Sequence, residues 1–350
     1  MAKKEDNTKA LQELKAAIKA KQPERLYIFH GVETFLLHHY TQRLQKLLVD
    51  ELTESFNFHK LTNETFDIRS FAEAVENLPM MAETTFVWVD DVDFFKLPED
   101  EREKMREVLS DIPEYCTVLF TYETTPWKPD KRYKKLWDTV AANAQIVEFS
   151  KQEQRDLVAW IGRHFAAAGK TITPDLCVYL IEITGGIMTA LAGEIAKICA
   201  YSDAPAVVRS DIDAVVEPVL DAVVFQMTDM LASGDYGAAL QKLQTLLKMQ
   251  EEELGILGAI GAHIRRLGAG RTLLDHGKNY SDLMQLYGGQ MWDSQARKTM
   301  AAAKNFTPRF CAVAAQLVME TDRQIKTSHD DAGRLLELLL LRLAQEARNG

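Results

Sequence analysis

Cysteine is scarce in this sequence and never occurs in closely spaced pairs. The 350 residues include four cysteines, Cys116, Cys177, Cys199 and Cys311, and no two of them form a CxxC pair. This spacing argues against a disulfide framework and against a cysteine zinc site. We therefore expect buried free thiols in a reducing compartment.

Positive charge is also in deficit. Lysine and arginine together number 41 against 51 aspartates and glutamates, which gives a formal net charge of −10. Because neutralising phosphates requires clustered cations, this balance argues against a protein that binds nucleic acid by itself. It does not exclude a subunit that touches DNA inside a larger, more basic assembly.

The sequence has no hydrophobic run of membrane-spanning length. The most apolar stretch, residues 335–343, is interrupted by Glu337 and Arg342 and is too short to cross a bilayer. The first six residues are followed by no apolar stretch, so a signal peptide is not expected. We expect a cytoplasmic protein with no membrane partner.

The motifs of common catalytic sites are missing. The eight histidines form no HExxH motif and no grouping with cysteine at zinc spacing, and the chain has no GxSxG elbow. The pattern indicates no catalytic residue, no metal site and no cofactor.

A working phosphate-binding loop is missing from the place where an α/β fold would carry it. Residues 29–37 follow the first predicted strand and contain one glycine, Gly31, no lysine, and Glu33 where phosphate oxygens would sit. Such a loop needs glycines that let backbone N–H groups surround the phosphates, and a lysine that reaches the outer ones. Residues 169–171 match only the end of the motif, because His164 stands where its first glycine is required.

A strand resembling a Walker B element occurs at residues 87–91 and ends in Asp90 and Asp91. Without a phosphate-binding loop there is no phosphate for a metal at this strand to bridge. We interpret the two aspartates as solvated residues at a strand end.

The first 150 residues alternate between strand-length apolar runs and helical periodicity. Repeated strand–helix–strand order predicts a parallel sheet covered by helices. A further helix with one apolar face is predicted before the first strand, at residues 7–20. The predicted strands are residues 26–29, 56–61, 85–89, 117–120 and 145–149, and the predicted helices between them are 33–52, 68–78, 101–109 and 132–142.

From residue 150 onward the pattern is helical. Ser150 and Glu153 resemble a capping box that opens a helix, Thr173 and Pro174 begin the next, and the pair of glycines at 185 and 186 ends it. Residues 188–201 and a short segment near 210–213 complete a small helical domain, and six or seven more helices follow from about residue 221. The fold class is therefore α/β plus all-α, with predicted domains at 1–149, 150–217 and 218–350.

Several segments, in this order and spacing, resemble one known family. Residues 26–36 resemble the opening strand and degenerate loop of the delta subunits of bacterial DNA polymerase III clamp loaders, and residues 78–91 resemble that family's LPFF segment and the strand after it. Residues 130–135 are similar to its DKRKK run. Further similarity lies at residues 185–197 and 224–240. The sequence also lacks the Ser-Arg-Cys motif by which other loader subunits offer an arginine to a neighbour's ATP.

This resemblance implies a degenerate AAA+ α/β domain, a small helical lid and a helical collar that joins the other subunits. It implies a subunit without intrinsic ATPase activity in the DNA polymerase III holoenzyme, which binds and opens the sliding clamp, the beta subunit, for loading on primed DNA. The implied partners are the clamp, the motor and delta-prime subunits in a hetero-pentamer, and primer–template DNA within the assembly. An alternative is a non-catalytic AAA+-like scaffold or DNA-binding subunit that does not open the clamp.

The resemblance places the clamp-binding element at Leu78, Pro79, Met80 and Met81. The chain departs from the family in having Met81 where an aromatic residue is common, although methionine is flexible and fills irregular pockets well. On the residues alone, packing of a helix end into the core is the favoured interpretation of this segment, and the resemblance favours contact with the clamp instead.

A basic run with interleaved Trp127 and Tyr133 is a second candidate surface. It could touch DNA or an adjacent subunit, and a solvated helix face is the competing interpretation. Its members are Lys128, Lys131, Arg132, Lys134 and Lys135.

Overall fold

The computed structural model describes residues 2–288 and 291–349. These residues form two compact units, 1–152 and 153–350, each described separately below. The predicted boundary between a lid and a collar at residues 217 and 218 lies inside the second unit and stays a prediction.

The first unit alternates helices and strands. A short 3₁₀ turn, Phe94–Lys96, follows the third strand. In chain order the elements are α1 (Ala2–Ala20), β1 (Leu26–His30), α2 (Thr34–Leu48), α3 (Glu54–Asn57), β2 (Phe58–Thr62), α4 (Ile68–Glu76), β3 (Thr85–Asp90), α5 (Glu99–Ser110), β4 (Cys116–Tyr122), α6 (Lys134–Asn143) and β5 (Gln145–Glu148).

The five strands form one parallel sheet in the order β2-β3-β4-β1-β5. Alternation along each strand divides the apolar side chains between two faces. In β1, Leu26 and Ile28 pack with residues of α4, α5 and α6, whereas Tyr27 and Phe29 pack with residues of α1 and α2. Every residue of β4 is buried, as expected for a central strand covered on both sides. The predicted parallel α/β arrangement is confirmed.

The second predicted strand begins later than expected. Residues 56–61 were expected to form it, but Phe56 and Asn57 belong to α3 and the strand starts at Phe58. The amide of Asn57 bonds to the carbonyl of Thr53 at 3.1 Å, which closes a helical turn. Aromatic content therefore misplaced this boundary, because the local turn decides it.

The second unit, in the part of it that the structure describes, consists of helices and one isolated β-bridge between Thr171 and Ala206. The first four helices and the seven that follow agree with the predicted number and order. They are α7 (Gln154–Ala167), α8 (Pro174–Thr184), α9 (Met188–Tyr201), α10 (Arg209–Val215), α11 (Leu220–Ser233), α12 (Tyr236–Lys248), α13 (Glu253–Asp275), α14 (Tyr280–Leu286), α15 (Asp293–Ala303), α16 (Pro308–Thr327) and α17 (Ala332–Asn349).

The predicted capping box at Ser150 is wrong. Helix α7 begins at Gln154, and no side chain caps it at Glu153. The hydroxyl of Ser150 instead accepts a hydrogen bond of 3.1 Å from the side-chain amide of Asn7 in α1. The hydroxyl oxygen that would cap the helix is therefore bonded to a residue 143 positions away in the chain.

The helices on either side of residue 217 are joined by several contacts within the second unit. The ring of Trp292 lies so close to Gly186 that a Cβ there would be 2.7 Å from it. Gln154 and Ser294 exchange hydrogen bonds of 3.0 and 3.2 Å, and Lys298 forms an ion pair of 2.5 Å with Glu182. Helix α15 is thereby fastened to α7 and α8.

Hydropathy along the described residues identifies no single helix long and apolar enough to span a membrane. Helices α8 and α9 reach that threshold only as a pair, and the chain bends by 120° between them. Their apolar residues Leu180, Ile181, Leu191 and Ile195 are buried in the second unit.

Candidate functional site

An exposed apolar loop lies between α4 and β3. We use the name apolar loop for residues 78–81. Leu78 is 73% exposed, Met80 55% and Met81 94%, and Pro79 is half-buried. The alternative in which this segment packs a helix end into the core is therefore wrong, because apolar side chains that stabilise a core are buried.

The backbone around the apolar loop is held by hydrogen bonds, although its large side chains are exposed. Both backbone polar groups of Met80 bond to the side chain of Asn57, and the hydroxyl of Thr84 donates to the carbonyl of Leu48 at 2.7 Å. The loop therefore lies alongside the chain between the end of α2 and the start of β2.

Met81 adopts a left-handed backbone conformation with φ of +54°. For a residue with a Cβ this costs roughly 1–2 kcal/mol. Such strain persists where surrounding contacts impose it, and it concentrates at functional sites. Here it accompanies the most exposed of the large apolar side chains.

Two further exposed apolar side chains occur on the segment that anchors the loop. Leu52 and Phe56 are both exposed, and Phe56 directly precedes Asn57. Sequence reasoning missed them because it assigned Leu52 to a helix and Phe56 to a strand.

The degenerate phosphate loop is closed by the protein's own backbone. Gly31 has φ of +128°, and a Cβ there would lie 2.4 Å from the carbonyl oxygen of Phe149. The same carbonyl accepts a hydrogen bond of 2.9 Å from the amide of Glu33, whose side chain is fully buried. A backbone N–H that a phosphate-binding loop would present to its ligand is thus already used.

The incomplete motif at residues 169–171 also has a structural role. The ammonium group of Lys170 is buried and donates to the backbone carbonyls of Ser202 and Ala204. It is held by the chain and does not face an open loop.

The carboxylate of Asp91 accepts hydrogen bonds from a set of backbone amides at the edge of the sheet. It accepts hydrogen bonds from the N–H groups of Glu123 (2.9 Å), Thr124 (3.0 Å) and Thr125 (2.9 Å), and from the Thr124 hydroxyl (2.8 Å). Successive N–H groups of this kind form an anion-binding concavity. In this protein the anion they bind is a side chain of the chain itself.

These contacts shift the ionisation of Asp91. Partial burial raises its pKa, but the hydrogen bonds from Thr125, Thr124 and Glu123 together lower it more, so the pKa lies below its ordinary value. Asp91 is also left-handed, with φ of +58°.

Asp90 is engaged as well. Its carboxylate accepts a hydrogen bond of 2.7 Å from the Thr121 hydroxyl and forms an ion pair of 3.3 Å with Lys60. The interpretation of Asp90 and Asp91 as merely solvated strand-end residues is therefore wrong. Among the described residues, no group of three or more His, Cys, Asp or Glu side chains is placed to hold a metal ion.

All four cysteines are free thiols in the structure. Cys116, Cys177 and Cys311 are buried, and Cys199 is half-buried. Burial raises the pKa of the Cys116 thiol to about 12. The expectation of buried thiols holds for three of the four.

The basic run is exposed, but its aromatic neighbours are not available for stacking. The side chains of Lys128, Lys131, Arg132, Lys134 and Lys135 are all exposed. Trp127 packs against Phe94 and Tyr122, and Tyr133 lies under the guanidinium group of Arg102 at 4.0 Å. Arg132 is itself bonded to Asp130. The run therefore offers charge and no aromatic platform.

Sequence comparison supports one family over most of the chain. The sequence model described as DNA polymerase III, delta subunit matches residues 27–150, and the one described as DNA polymerase III delta subunit, C-terminal domain matches residues 221–343. The DNA polymerase III subunit delta of Bacillus subtilis is 22% identical over 332 residues, which cover 93% of this chain and 95% of that one. The probable delta subunit of Aquifex aeolicus is 22% identical over 273 residues, 76% of each chain.

The fold is also similar to a solved structure. The Bacillus subtilis DNA clamp loader delta protein (YqeN) superimposes with a TM-score of 0.58 at 20% identity, covering 95% of this chain and 99% of that one. This likeness confirms the predicted fold class. The two family matches and the near full-length relative establish the identity predicted from the sequence: the chain belongs to the DNA polymerase III delta subunit family.

Proposed function

We propose that this delta subunit binds the sliding clamp through the apolar loop and holds its ring open during clamp loading. The observation that carries the proposal is the exposure of Leu78, Met80 and Met81 on a loop whose backbone is fixed. Fully burying such side chains contributes roughly 1.5–3 kcal/mol each, so three supply about 5–9 kcal/mol before ordering costs. Interface energy concentrates in a few anchors of this kind.

Ring opening follows from binding preference. A ligand shifts an equilibrium between a closed and an open ring only by the difference in its affinity for the two forms. The apolar loop therefore opens the clamp if the pocket that receives it, or the edge next to it, fits better when the ring is distorted.

We propose that the subunit works without binding nucleotide. The amide of Glu33 already donates to the carbonyl of Phe149, and the amides of residues 123–125 already donate to the carboxylate of Asp91, so these N–H groups are not open to a phosphate. Titration of the pure subunit with Mg-ATP in a calorimeter should give no binding heat. Micromolar affinity would contradict this part of the proposal.

The remaining partners are proposed from separate surfaces. The exposed basic run is a charge contact with primer–template DNA or with an acidic face of a neighbouring subunit. Residues 218–350 form the collar that joins the motor and delta-prime subunits in a hetero-pentamer, and residues 150–217 form the lid. Exposed Met319 on α16, with Leu338 and Leu341 on the adjacent α17, supports the collar assignment, since apolar side chains on neighbouring helices mark contact surfaces.

The deciding experiment measures clamp binding by the double variant Leu78→Ala/Met81→Ala. Both side chains are largely exposed, so the variant should melt within about 1 °C of the wild type, as surface substitutions usually do. Its affinity for the clamp of the same organism should fall tenfold or more, about 1.4 kcal/mol per decade. Unchanged affinity would place the clamp site elsewhere.

A further inference from the structure

The side chain of Asn57 is buried and makes a matched pair of hydrogen bonds to one residue of the apolar loop. Asn57 is 1% exposed. Its Nδ2 donates to the carbonyl oxygen of Met80 at 2.8 Å, and its Oδ1 accepts from the amide of Met80 at 2.7 Å. A backbone N–H requires an acceptor and a C=O requires a donor, so this pairing also fixes the orientation of the amide.

Asn57 has rigid support of its own. It is the last residue of α3, its amide bonds to the carbonyl of Thr53, and β2 follows it directly. The side chain therefore projects from the junction of a helical turn and a strand of the central sheet. A site held by such elements is placed more accurately than one on a free loop.

The apolar loop has little other support at its centre. Residues 77–84 form neither helix nor strand, and Thr84 is bonded at the far end. Exposed apolar side chains lower their free energy by collapsing onto nearby apolar surface. The two bonds to Met80 oppose this collapse at the residue that lies between Pro79 and the strained Met81.

We propose that Asn57 is a positioning residue for clamp binding: it acts through the backbone of Met80 to hold Leu78 and Met81 in the outward arrangement that enters the clamp. This rests on the proposed function of the apolar loop. Fixing a loop before association removes ordering costs that would otherwise oppose binding. The contribution of Asn57 therefore exists only when Leu78 and Met81 are there to be presented.

The test compares Asn57→Ala and the isosteric Asn57→Asp with a matched control, Asn7→Ala. The side chain of Asn7 makes the same kind of pair, donating to the carbonyl of Glu148 at 2.7 Å and accepting from its amide at 3.0 Å, far from the loop in sequence. Asn57→Asp keeps the side-chain volume and an acceptor for the Met80 amide, but it faces the Met80 carbonyl with a carboxylate, so it separates loss of the bond to that carbonyl from loss of packing. All variants are assayed as full-length protein against the clamp, well below their melting temperatures.

We expect Asn57→Ala and Asn57→Asp to bind clamp roughly tenfold more weakly, which corresponds to about 1.4 kcal/mol. Asn7→Ala should bind as the wild type does. Hydrogen exchange of the backbone amides of residues 77–84, apart from Pro79, should become faster in Asn57→Ala and stay unchanged in Asn7→Ala, because in Asn57→Ala the Met80 amide has lost its acceptor.

A double-mutant cycle supplies the readout that a purely structural role would not give. Adding Asn57→Ala to Leu78→Ala/Met81→Ala should cost almost no further affinity, since the two side chains that Asn57 presents are already gone. An additive loss, an equal loss in Asn7→Ala, or wild-type affinity in Asn57→Ala alongside a weakened Leu78→Ala/Met81→Ala would each overturn the role of Asn57. Wild-type affinity in Leu78→Ala/Met81→Ala would overturn the proposed clamp site and this inference together.

Discussion

The hydroxyl of Thr84 donates to the carbonyl of Leu48 at 2.7 Å, across 36 residues of chain. Leu48 ends α2, where carbonyls lack helical partners, so one bond both satisfies a helix end and ties down the loop before β3. With Asn57 bonded to Met80, the loop is fastened on two sides of Met81. The left-handed conformation of Met81 is thus imposed by its neighbours.

Met81→Gly and Met81→Ala should therefore differ in stability but not in clamp binding. Glycine adopts a positive φ without the steric cost that alanine retains, so Met81→Gly should be more stable by about 1 kcal/mol. That difference corresponds to roughly 2–4 °C in the melting temperature of a cooperative unit about the size of residues 1–152. Both variants lack the thioether side chain and should bind clamp more weakly than the wild type. Identical melting curves would mean that Met81 carries no strain.

Asp91→Asn should reduce stability at neutral pH and lose that effect in acid. The folded state lowers the pKa of Asp91, so its carboxylate stabilises the fold above the pKa of the unfolded chain, about 3.9. The stabilisation disappears as the pH falls through the lower folded-state pKa. Urea unfolding of wild type and variant at pH 7 and at successively lower pH should show the two curves converging below about pH 4. A gap that stays constant with pH would contradict the role of the charge.

Replacing Lys128, Lys131 and Lys134 with alanine should weaken binding of primer–template DNA by the assembled loader. If these side chains touch phosphates, the slope of log affinity against log salt should fall by about 0.9 for each contact. Lys15, Lys19 and Lys46 are exposed on α1 and α2 and provide a control triple variant of equal charge. An unchanged slope with weakened assembly would favour a subunit contact, and no effect on either would identify a solvated face.

Met319→Glu/Leu341→Glu should impair assembly with the other loader subunits and leave clamp binding intact. Both positions are exposed, so the charges are tolerated by the fold but not by an apolar interface. Gln316→Glu/Gln345→Glu adds the same charge at exposed positions of the same helices and should co-elute normally on size exclusion. Surface substitutions are preferable to truncation near residue 217, because the contacts of Trp292, Ser294 and Lys298 cross that point. Normal co-elution of Met319→Glu/Leu341→Glu would mean that the subunit interface lies elsewhere.

Much of the fold could be predicted because its signals are local. Helix α9 has the predicted bounds, and α8 begins at Pro174 after a Thr173 side chain that caps it, as the sequence indicates. The error at Phe56 has a local cause, the helical turn closed by the bond from the Asn57 amide to the Thr53 carbonyl. The error at Ser150 has a distant cause, because the side chain of Asn7 bonds to the Ser150 hydroxyl across 143 residues of chain. No periodicity within a window of residues carries that information.

The candidate site could also be predicted only in part, because some of its features are local in the sequence and others depend on the fold. The resemblance of residues 78–81 to a known element gave its position, whereas the exposure of Leu78 and Met81 follows from the fold. The sequence also did not predict that the Asp91 carboxylate binds backbone amides, because the three amides lie 32–34 residues further along the chain. Strand order decides which segments meet at the edge of a sheet, and sequence spacing alone does not fix it.

The manner in which Asn57 grips the loop has an evolutionary consequence. Its two bonds are made to the peptide group of Met80 and not to any side chain. The support is therefore indifferent to which side chains stand at positions 78, 80 and 81, except that proline at 80 would remove the N–H it needs. The residues at these three positions can therefore change during evolution, as the pocket of a binding partner changes, while the contact between Asn57 and the backbone is kept. For the same reason, a different short recognition sequence can be introduced at residues 78–81 by design without changing Asn57 or the segment that carries it.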